Sequence, residues 1–239
     1  MSEKHYNLDH EVLSHLFTKC IEWGARNDHP MTGKKVTKFP ANERTRYVED
    51  WELAEFLKVA NPFLQVYINL KGFLGQDKAD MLSIRLSNIS EDGITLEPRR
   101  KTARKRKNAR RRFFPYYIEI GEERISTGLK EAVDAILALK RPAKTEYLFC
   151  TRSGQPYIKP DGDTSGFNSM WQRTMAKALE ETKLKERFTE HDLRAKVASD
   201  LETDEQAQRQ LDHTNVRTTR IYRRKAINMP VAKGFQEDE

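Results

Sequence analysis

Apolar residues recur at the three- to four-residue spacing of a helix in several stretches of the sequence. Between Leu8 and Trp23 they form one such stripe, which Gly24 is placed to end. The same spacing and helix-capping residues predict further helices in 50–59, 63–73, 81–85, 127–141, 167–179, 191–201 and 214–222. Two short apolar runs predict strands at 94–96 and 113–120 that pair antiparallel. The pattern therefore favours an α+β fold that is mainly α-helical, with a small antiparallel β-sheet on one side.

The distribution of proline and glycine divides the chain. Residues 26–46 carry two prolines and a glycine without apolar periodicity, which is typical of an extended linker. We therefore expect a first helix in 1–25, a linker in 26–46 and a main domain in 47–228. The tail 229–239 shows no periodicity.

Composition limits the classes of protein to which the chain can belong. A length of 239 residues with 37% apolar residues is enough for a hydrophobic core. No membrane span or secretory signal is visible, so we expect a cytoplasmic protein without a membrane partner. Cys20 and Cys150 are far apart and lack metal-ligand spacing, which predicts buried reduced thiols and no metal site.

Positive charge is concentrated in one segment. Ten of the fourteen residues in 99–112 are Lys or Arg, whereas the whole chain has a net charge of +7. Such a block suits a polyanion, because each neutralised phosphate releases counterions. A solvated loop is the alternative for a basic run taken alone.

The residues most capable of chemistry lie near the carboxy terminus, in HDLR at 191–194 followed by His213 and Tyr222. On a helix, His191 and Arg194 share one face, because they are three residues apart. A His-x-x-Arg pair alone is usually structural. Its combination with a histidine and a tyrosine at fixed spacing is what carries the family resemblance described next.

Four stretches resemble the motifs of the tyrosine recombinases, the phage-integrase family of DNA breaking and rejoining enzymes. HDLR is similar to the family's His-x-x-Arg box, and LDHTNVRTTRIY at 211–222 to its Leu-Gly-His box with the tyrosine nine residues later. Residues 99–102 resemble the β-hairpin lysine motif, and 70–89 resembles the box built on Thr-Gly-x-Arg. The resemblance covers roughly 45–225 and implies the catalytic-domain fold, while 1–25 resembles the end of a core-binding domain.

The resemblance also implies roles. Tyr222 would be the nucleophile, Arg194 the phosphate clamp, and His191 and His213 phosphate hydrogen-bonders or proton carriers. Lys101 would be the acid for the leaving 5′ oxygen, although Lys105 and Lys107 lie in the same loop. The implied DNA-contacting residues are basic: Arg99, Arg100, Arg104, Lys105, Arg106, Lys107, Arg110, Arg111 and Arg112. No cofactor is implied, because the phosphotyrosine conserves the bond energy.

The sequence departs from the family at the first catalytic arginine, where Asp77 stands instead. Its carboxylate would repel phosphate and could pair with Arg194. Lys78 is a poor substitute, since one residue along a helix turns the side chain by about 100°. Loss of one such donor costs ~3 to 4 kcal/mol, which corresponds to a rate about 100 to 1000 times lower. Asp212, in place of the glycine before His213, adds further negative charge.

Two functions remain open at this point. The first is site-specific DNA breaking and rejoining through a 3′-phosphotyrosine, with activity impaired by Asp77. The second is a catalytically inactive, recombinase-derived DNA-binding or regulatory protein. RNA binding is disfavoured, because no aromatic-rich stacking motif lies near the basic run. The expected partners are double-stranded DNA and either further copies, as a tetramer on DNA, or a full-length recombinase, in association with the nucleoid.

Overall fold

A computed structural model describes residues 3–33, 39, 44–98, 110–140, 142 and 144–226. The chain divides into two compact units, Met1–Arg44 and Thr45–Glu239. Residues 99–109, which hold most of the basic block, and the tail 229–239 lie outside the described residues. The predicted sites Lys101, Lys105 and Lys107 therefore stay predictions.

The first unit is built on one helix, α1 (Glu3–Glu22). It lies within the range 1–25 predicted for the first helix and begins before the apolar stripe, which starts at Leu8. The backbone N–H of Ala25 donates to the carbonyl of Cys20 across Gly24, whose φ is +71°. Apolar side chains of the predicted stripe remain exposed, with Leu8 at 53% and Leu13 at 47%.

The second unit contains eight helices of varied length within the described residues. They are α2 (Asp50–Val59), α3 (Pro62–Leu74), α4 (Lys78–Leu82), α5 (Leu129–Leu137), α6 (Ser165–Glu181), α7 (Glu190–Asp200), α8 (Asp204–Leu211) and α9 (Val216–Arg220), with a 3₁₀ turn at Leu86–Asn88. α3 starts where Asn61 accepts from the N–H of Leu64 at 2.9 Å and Pro62 takes the first position. Across the described ranges, no helix is both long and apolar enough to cross a membrane.

An aromatic cluster forms the centre of the core, where α2, α3 and α6 meet. The rings of Phe56 and Trp171 stack with centroids 4.8 Å apart, and those of Tyr67 and Phe167 are 4.7 Å apart. Phe56, Tyr67 and Phe167 are completely buried. Large rings dominate core energetics, so these contacts hold together α2, α3 and α6, and α3 in turn packs against α7.

The strands form two separate antiparallel hairpins. β1 (Gly93–Leu96) pairs with β2 (Arg112–Pro115), and β3 (Tyr117–Ile120) pairs with β4 (Glu123–Ser126). The prediction of one strand over 113–120 is wrong, because the first ladder ends at Pro115 and the buried Tyr116 separates β2 from β3. β4 was not predicted, and all its residues are exposed, so no alternation marks it.

Two predicted details near the site are also wrong. The helix predicted over 81–85 lies instead at Lys78–Leu82, so Arg85 follows it, and its exposed guanidinium pairs with Glu146 at 3.0 Å. The last helix, predicted over 214–222, spans only Val216–Arg220 and is capped by Asn215, whose side chain accepts from the N–H of Arg217 at 2.8 Å.

The helix predicted from Thr127 begins at Leu129 and ends at Leu137. The Thr127 hydroxyl instead bonds the carbonyl of Tyr116 at 2.9 Å, so this residue ties the helix start to the hairpins.

Candidate active site

Helix α7 carries His191 and Arg194, and a capping box fixes its start. The backbone N–H and the hydroxyl of Thr189 both donate to Asp192 Oδ2 at 2.8 Å. The other carboxylate oxygen of Asp192 accepts from Arg224 at 2.7 Å. Asp192 is completely buried, so the acidic residue of HDLR positions the helix. Sequence reasoning missed this role, although the Thr-x-x-Asp spacing signals it.

Tyr222 lies beside both histidines. Its hydroxyl is 3.2 Å from Nε2 of His191, and its ring centroid is 5.1 Å from that of His213. The tyrosine follows α9 in a turn, where its N–H donates to the carbonyl of Thr219 at 2.8 Å. The spacing of the carboxy-terminal motif therefore brings the predicted nucleophile next to His191.

Arg194 is completely buried, although the sequence predicted that the helix would present its guanidinium. Nη1 donates to the carbonyl of Gly75, and Nη2 donates to that of Leu211 at 2.8 Å. Nη2 also lies 3.3 Å from Nε2 of His213. The guanidinium therefore connects α7 to the ends of α3 and α8. It also lies against the face of the Tyr222 ring, with Cζ 5.6 Å from the ring centroid.

Gly75 allows this close approach. It ends α3 with φ at +61°, and a Cβ there would lie 2.9 Å from Cγ1 of Val197 on α7. Only glycine meets both conditions without strain. The match to the family glycine thus has a packing reason in this structure.

His213 is held by two polar neighbours, with Nδ1 3.1 Å from the hydroxyl of the buried Thr219 and Nε2 facing Arg194. The preceding residue, Asp212, ends α8 in the left-handed region at φ 51°. Glycine adopts this conformation freely and aspartate less so, which explains the glycine that the family motif has here.

Asp77 pairs with Arg194, as predicted: its Oδ1 lies 3.2 Å from Nε of the guanidinium. The carboxylate stands just before α4 and is 41% exposed. The ammonium of Lys78 donates to Asn168 at 2.6 Å, so Lys78 is engaged elsewhere. A negative charge thus stands where the resemblance predicts the first catalytic arginine.

A buried ionic network lies directly below this site, and the sequence reasoning missed it. The ammonium of Lys71 contacts the carboxylate of Glu190, which also accepts from the hydroxyl of Tyr67 at 2.7 Å. Burial lowers the pKa of Lys71 despite its paired carboxylate, and burial raises the pKa of Tyr67. The only sequence signal was a lysine at an apolar position of the stripe in α3.

The site opens into a cleft of about 1200 Å³, which α4, α6, α7 and the β1–β2 hairpin line. Asp77, His191, Tyr222 and Arg112 all face it. Of the predicted DNA-contacting residues, the structure describes Arg110, Arg111 and Arg112; the first two are exposed and Arg112 is largely buried. The remaining members of that set lie outside the described residues.

Metal ligands do not cluster in the part of the chain that the structure describes: no group of three or more His, Cys, Asp or Glu side chains is arranged to hold an ion. Cys20 and Cys150 are both free and only partly buried, so the prediction of buried thiols holds in part.

A sequence model of the phage integrase family matches residues 75–229, which include every described residue of the site. The chain belongs to the phage integrase family. The match covers more than half of the chain, and it confirms the family that the four motifs predicted. No relative was found among curated proteins.

Solved structures confirm the fold of this phage integrase family member. Lambda integrase (residues 75–356), a dimer bound to a COC′ core site, aligns with a TM-score of 0.72 at 18% identity over 96% of this chain and 78% of that chain. The Tn1549 transposon integrase in complex with circular intermediate DNA gives 0.62 at 15% identity, over 95% and 76%. XerA recombinase gives 0.55 at 18% identity, over 85% and 65%. This chain spans 63% of a longer lambda integrase chain.

Proposed function

We propose that this chain breaks and rejoins DNA strands through a covalent 3′-phosphotyrosine on Tyr222, at a rate that Asp77 lowers. The observation that carries the proposal is the Tyr222 hydroxyl, 3.2 Å from Nε2 of His191 and above the guanidinium of Arg194. A nucleophile and a proton acceptor are thereby within reach of one phosphate, with the buried cation of Arg194 behind them. Membership of the phage integrase family supports the assignment.

In the proposed reaction, the Tyr222 oxygen attacks the phosphorus and forms a P–O bond while the P–O5′ bond breaks. The tyrosine proton passes to His191, and the departing 5′ oxygen takes a proton from a general acid, for which the family likeness proposes Lys101. His213 and the field of the buried Arg194 cation stabilise the charge that develops on the phosphate oxygens. In the reverse step, the 5′ hydroxyl of a strand attacks the phosphotyrosine, so no external energy source is needed.

Double-stranded DNA is the proposed substrate, bound in the cleft by the basic block. Phosphate contacts of this kind supply affinity without sequence specificity. Lambda integrase has been solved as a dimer on a core site and as a tetramer bound to a Holliday junction. By this analogy, we propose that the chain acts as an oligomer on DNA or together with a full-length recombinase.

DNA binding without turnover is the second candidate function. The pair between Asp77 and Arg194 favours it, because a carboxylate opposes the approach of phosphate and occupies a donor of the clamp. This candidate predicts DNA binding without a covalent product.

Covalent capture separates the two functions. Binding sites are first selected from a randomised duplex pool with the Tyr222→Phe variant, and nicked suicide substrates are then built on the selected site. Cleavage is expected to give a slowly formed protein–DNA adduct that Tyr222→Phe abolishes. Specific binding without a Tyr222-dependent adduct would establish the second function instead.

The proton acceptor gives the reaction an expected pH dependence. Burial lowers the pKa of His191 from its ordinary 6.5, with Lys71 and Arg194 acting in the same direction and Asp77 opposing. The imidazole is therefore neutral at pH 7 and can accept the tyrosine proton. With DNA below saturation, the adduct rate should fall about tenfold per unit as pH drops below that pKa, and remain flat from there to pH 8.

Rates for wild type and His191→Gln measured between pH 5 and 8 test this. The variant should be slower but lack the acid limb. An identical acid limb in both proteins would assign it to another group.

A further inference from the structure

Arg112, at the start of β2, has a guanidinium held in place by three hydrogen bonds. Nη1 donates to the side-chain oxygen of Gln76 and, at 3.1 Å, to the carboxylate of Asp80. Nη2 donates to the carbonyl of Glu97 at 2.8 Å. The side chain is only 10% exposed, which is unusual for arginine in a basic run. Its cation is therefore positioned before any ligand arrives.

Two pairs of neighbouring residues, 75–76 and 211–212, link Arg112 to Arg194. Arg194 donates to the carbonyls of Gly75 and Leu211. Arg112 contacts the next residue in each pair: it donates to the side chain of Gln76, and its Nε lies 4.0 Å from the carboxylate of Asp212. The two guanidiniums are thus fixed to the same two segments, one from each side.

The donors of Arg112 are not all used. Its three hydrogen bonds engage three of the five N–H groups of a guanidinium. Within the described part of the chain, Nε has no hydrogen-bond partner although it is buried. A buried donor left in this state is costly unless a ligand completes it. The side chain lines the cleft that Tyr222 and His191 also line.

We propose that Arg112 takes over part of the role of the arginine that is missing at Asp77, by donating to the phosphate that Tyr222 attacks. The proposal rests on the function proposed above. Arg112 partners Asp80, three residues after Asp77, and so brings a guanidinium from the hairpin to the segment that lacks one. It offsets part of the negative charge of Asp77 and supplies a second planar donor opposite Arg194.

Two neighbouring cations in the described part of the chain, Lys78 and Arg111, do not fit this role. The ammonium of Lys78 is bonded to Asn168, on α6. Arg111 is 70% exposed and pairs with Glu97. Arg111 itself does not line the cleft. Arg111 therefore provides a matched control, because Arg111→Gln removes the same charge one residue away.

Adduct rates provide the first test. Arg112→Gln should lower the single-turnover rate at saturating protein about 100-fold relative to wild type. In an Asp77→Arg background, the same change should cost less than about tenfold, because the restored arginine makes Arg112 redundant. An equal loss in both backgrounds would overturn the replacement. Thermal unfolding of each variant separates loss of contact from loss of fold.

A binding test does not require cleavage. In the Tyr222→Phe background, each phosphate of the selected duplex is replaced in turn by a neutral methylphosphonate. One phosphate per half-site should show about tenfold weaker binding when neutralised, and Arg112→Gln should remove that penalty. Arg111→Gln should weaken binding to all duplexes equally and keep the penalty.

The two tests distinguish failure of the proposed cleavage from failure of the proposed Arg112 contact. If no adduct forms with any variant, the proposed cleavage is wrong. Arg112 is then judged by the scan alone: a phosphate whose penalty disappears in both Arg112→Gln and His213→Gln supports the contact. If the penalties are unchanged by Arg112→Gln, the proposal for Arg112 is wrong, whether or not cleavage occurs.

Discussion

Asp77→Arg is expected to raise the rate of covalent adduct formation by about 100 to 1000-fold. The change removes a carboxylate that faces Arg194 at 3.2 Å and adds a donor for the developing charge on the phosphate. A preorganised donor of this kind contributes about 2.7 to 4 kcal/mol to the stability of a transition state. Single-turnover rates on the suicide substrate, with protein in excess, measure the effect without a contribution from DNA affinity.

Two further variants separate the effect of removing the carboxylate from the effect of adding a cationic donor. Asp77→Asn removes the repulsion without adding a cation, so its rate should lie between those of wild type and Asp77→Arg. Lys78→Arg keeps the carboxylate and changes only a side chain bonded to Asn168, so it should leave the rate low. If Asp77→Arg cleaved no faster than wild type, Asp77 would not be the residue that limits activity.

Glu190→Ala is expected to lower the free energy of unfolding by about 3 to 5 kcal/mol. Lys71 and Glu190 are exposed by only 1% and 8% at their side chains, so the change leaves an ammonium buried without its carboxylate. The hydroxyl of Tyr67 loses its acceptor at the same time. Urea unfolding followed by circular dichroism gives the difference, and an unchanged m-value would show that the unfolded state is unaffected.

Two control variants test whether the loss comes from leaving a buried charge without its partner. The double variant Lys71→Met with Glu190→Leu removes both charges and should be more stable than Glu190→Ala alone. Asp134→Ala breaks an exposed pair with Lys130 and should have little effect. A similar loss in Glu190→Ala and Asp134→Ala would contradict the importance of burial.

The parts of the site that could be predicted are those that the local sequence specifies. HDLR, His213 and Tyr222 lie within 32 residues of one another, and helix capping and spacing place them together. Asp77 was identified because a motif defines which residue should stand there. Its pairing with Arg194 followed from charge alone, and the structure confirms it.

The parts that could not be predicted depend on distant contacts. Lys71 and Glu190 are 119 residues apart, and a single sequence gives no sign that they pair. The burial of Arg194 depends on the carbonyls at the ends of two other helices. Arg112 was expected only as one of many basic residues, because its anchoring by Asp80 arises from the register of the β1–β2 hairpin.

The pair between Asp77 and Arg194 also bears on how long a broken strand would persist. Strand cleavage and strand resealing pass through the same transition state, so a group that destabilises only that state slows both directions by the same factor. The ratio of cut to sealed DNA is then unchanged. Under the proposed function, Asp77 would alter the lifetime of the intermediate: a phosphotyrosine on Tyr222 would form rarely and persist for long. A second strand would then have more time to enter before the first is closed.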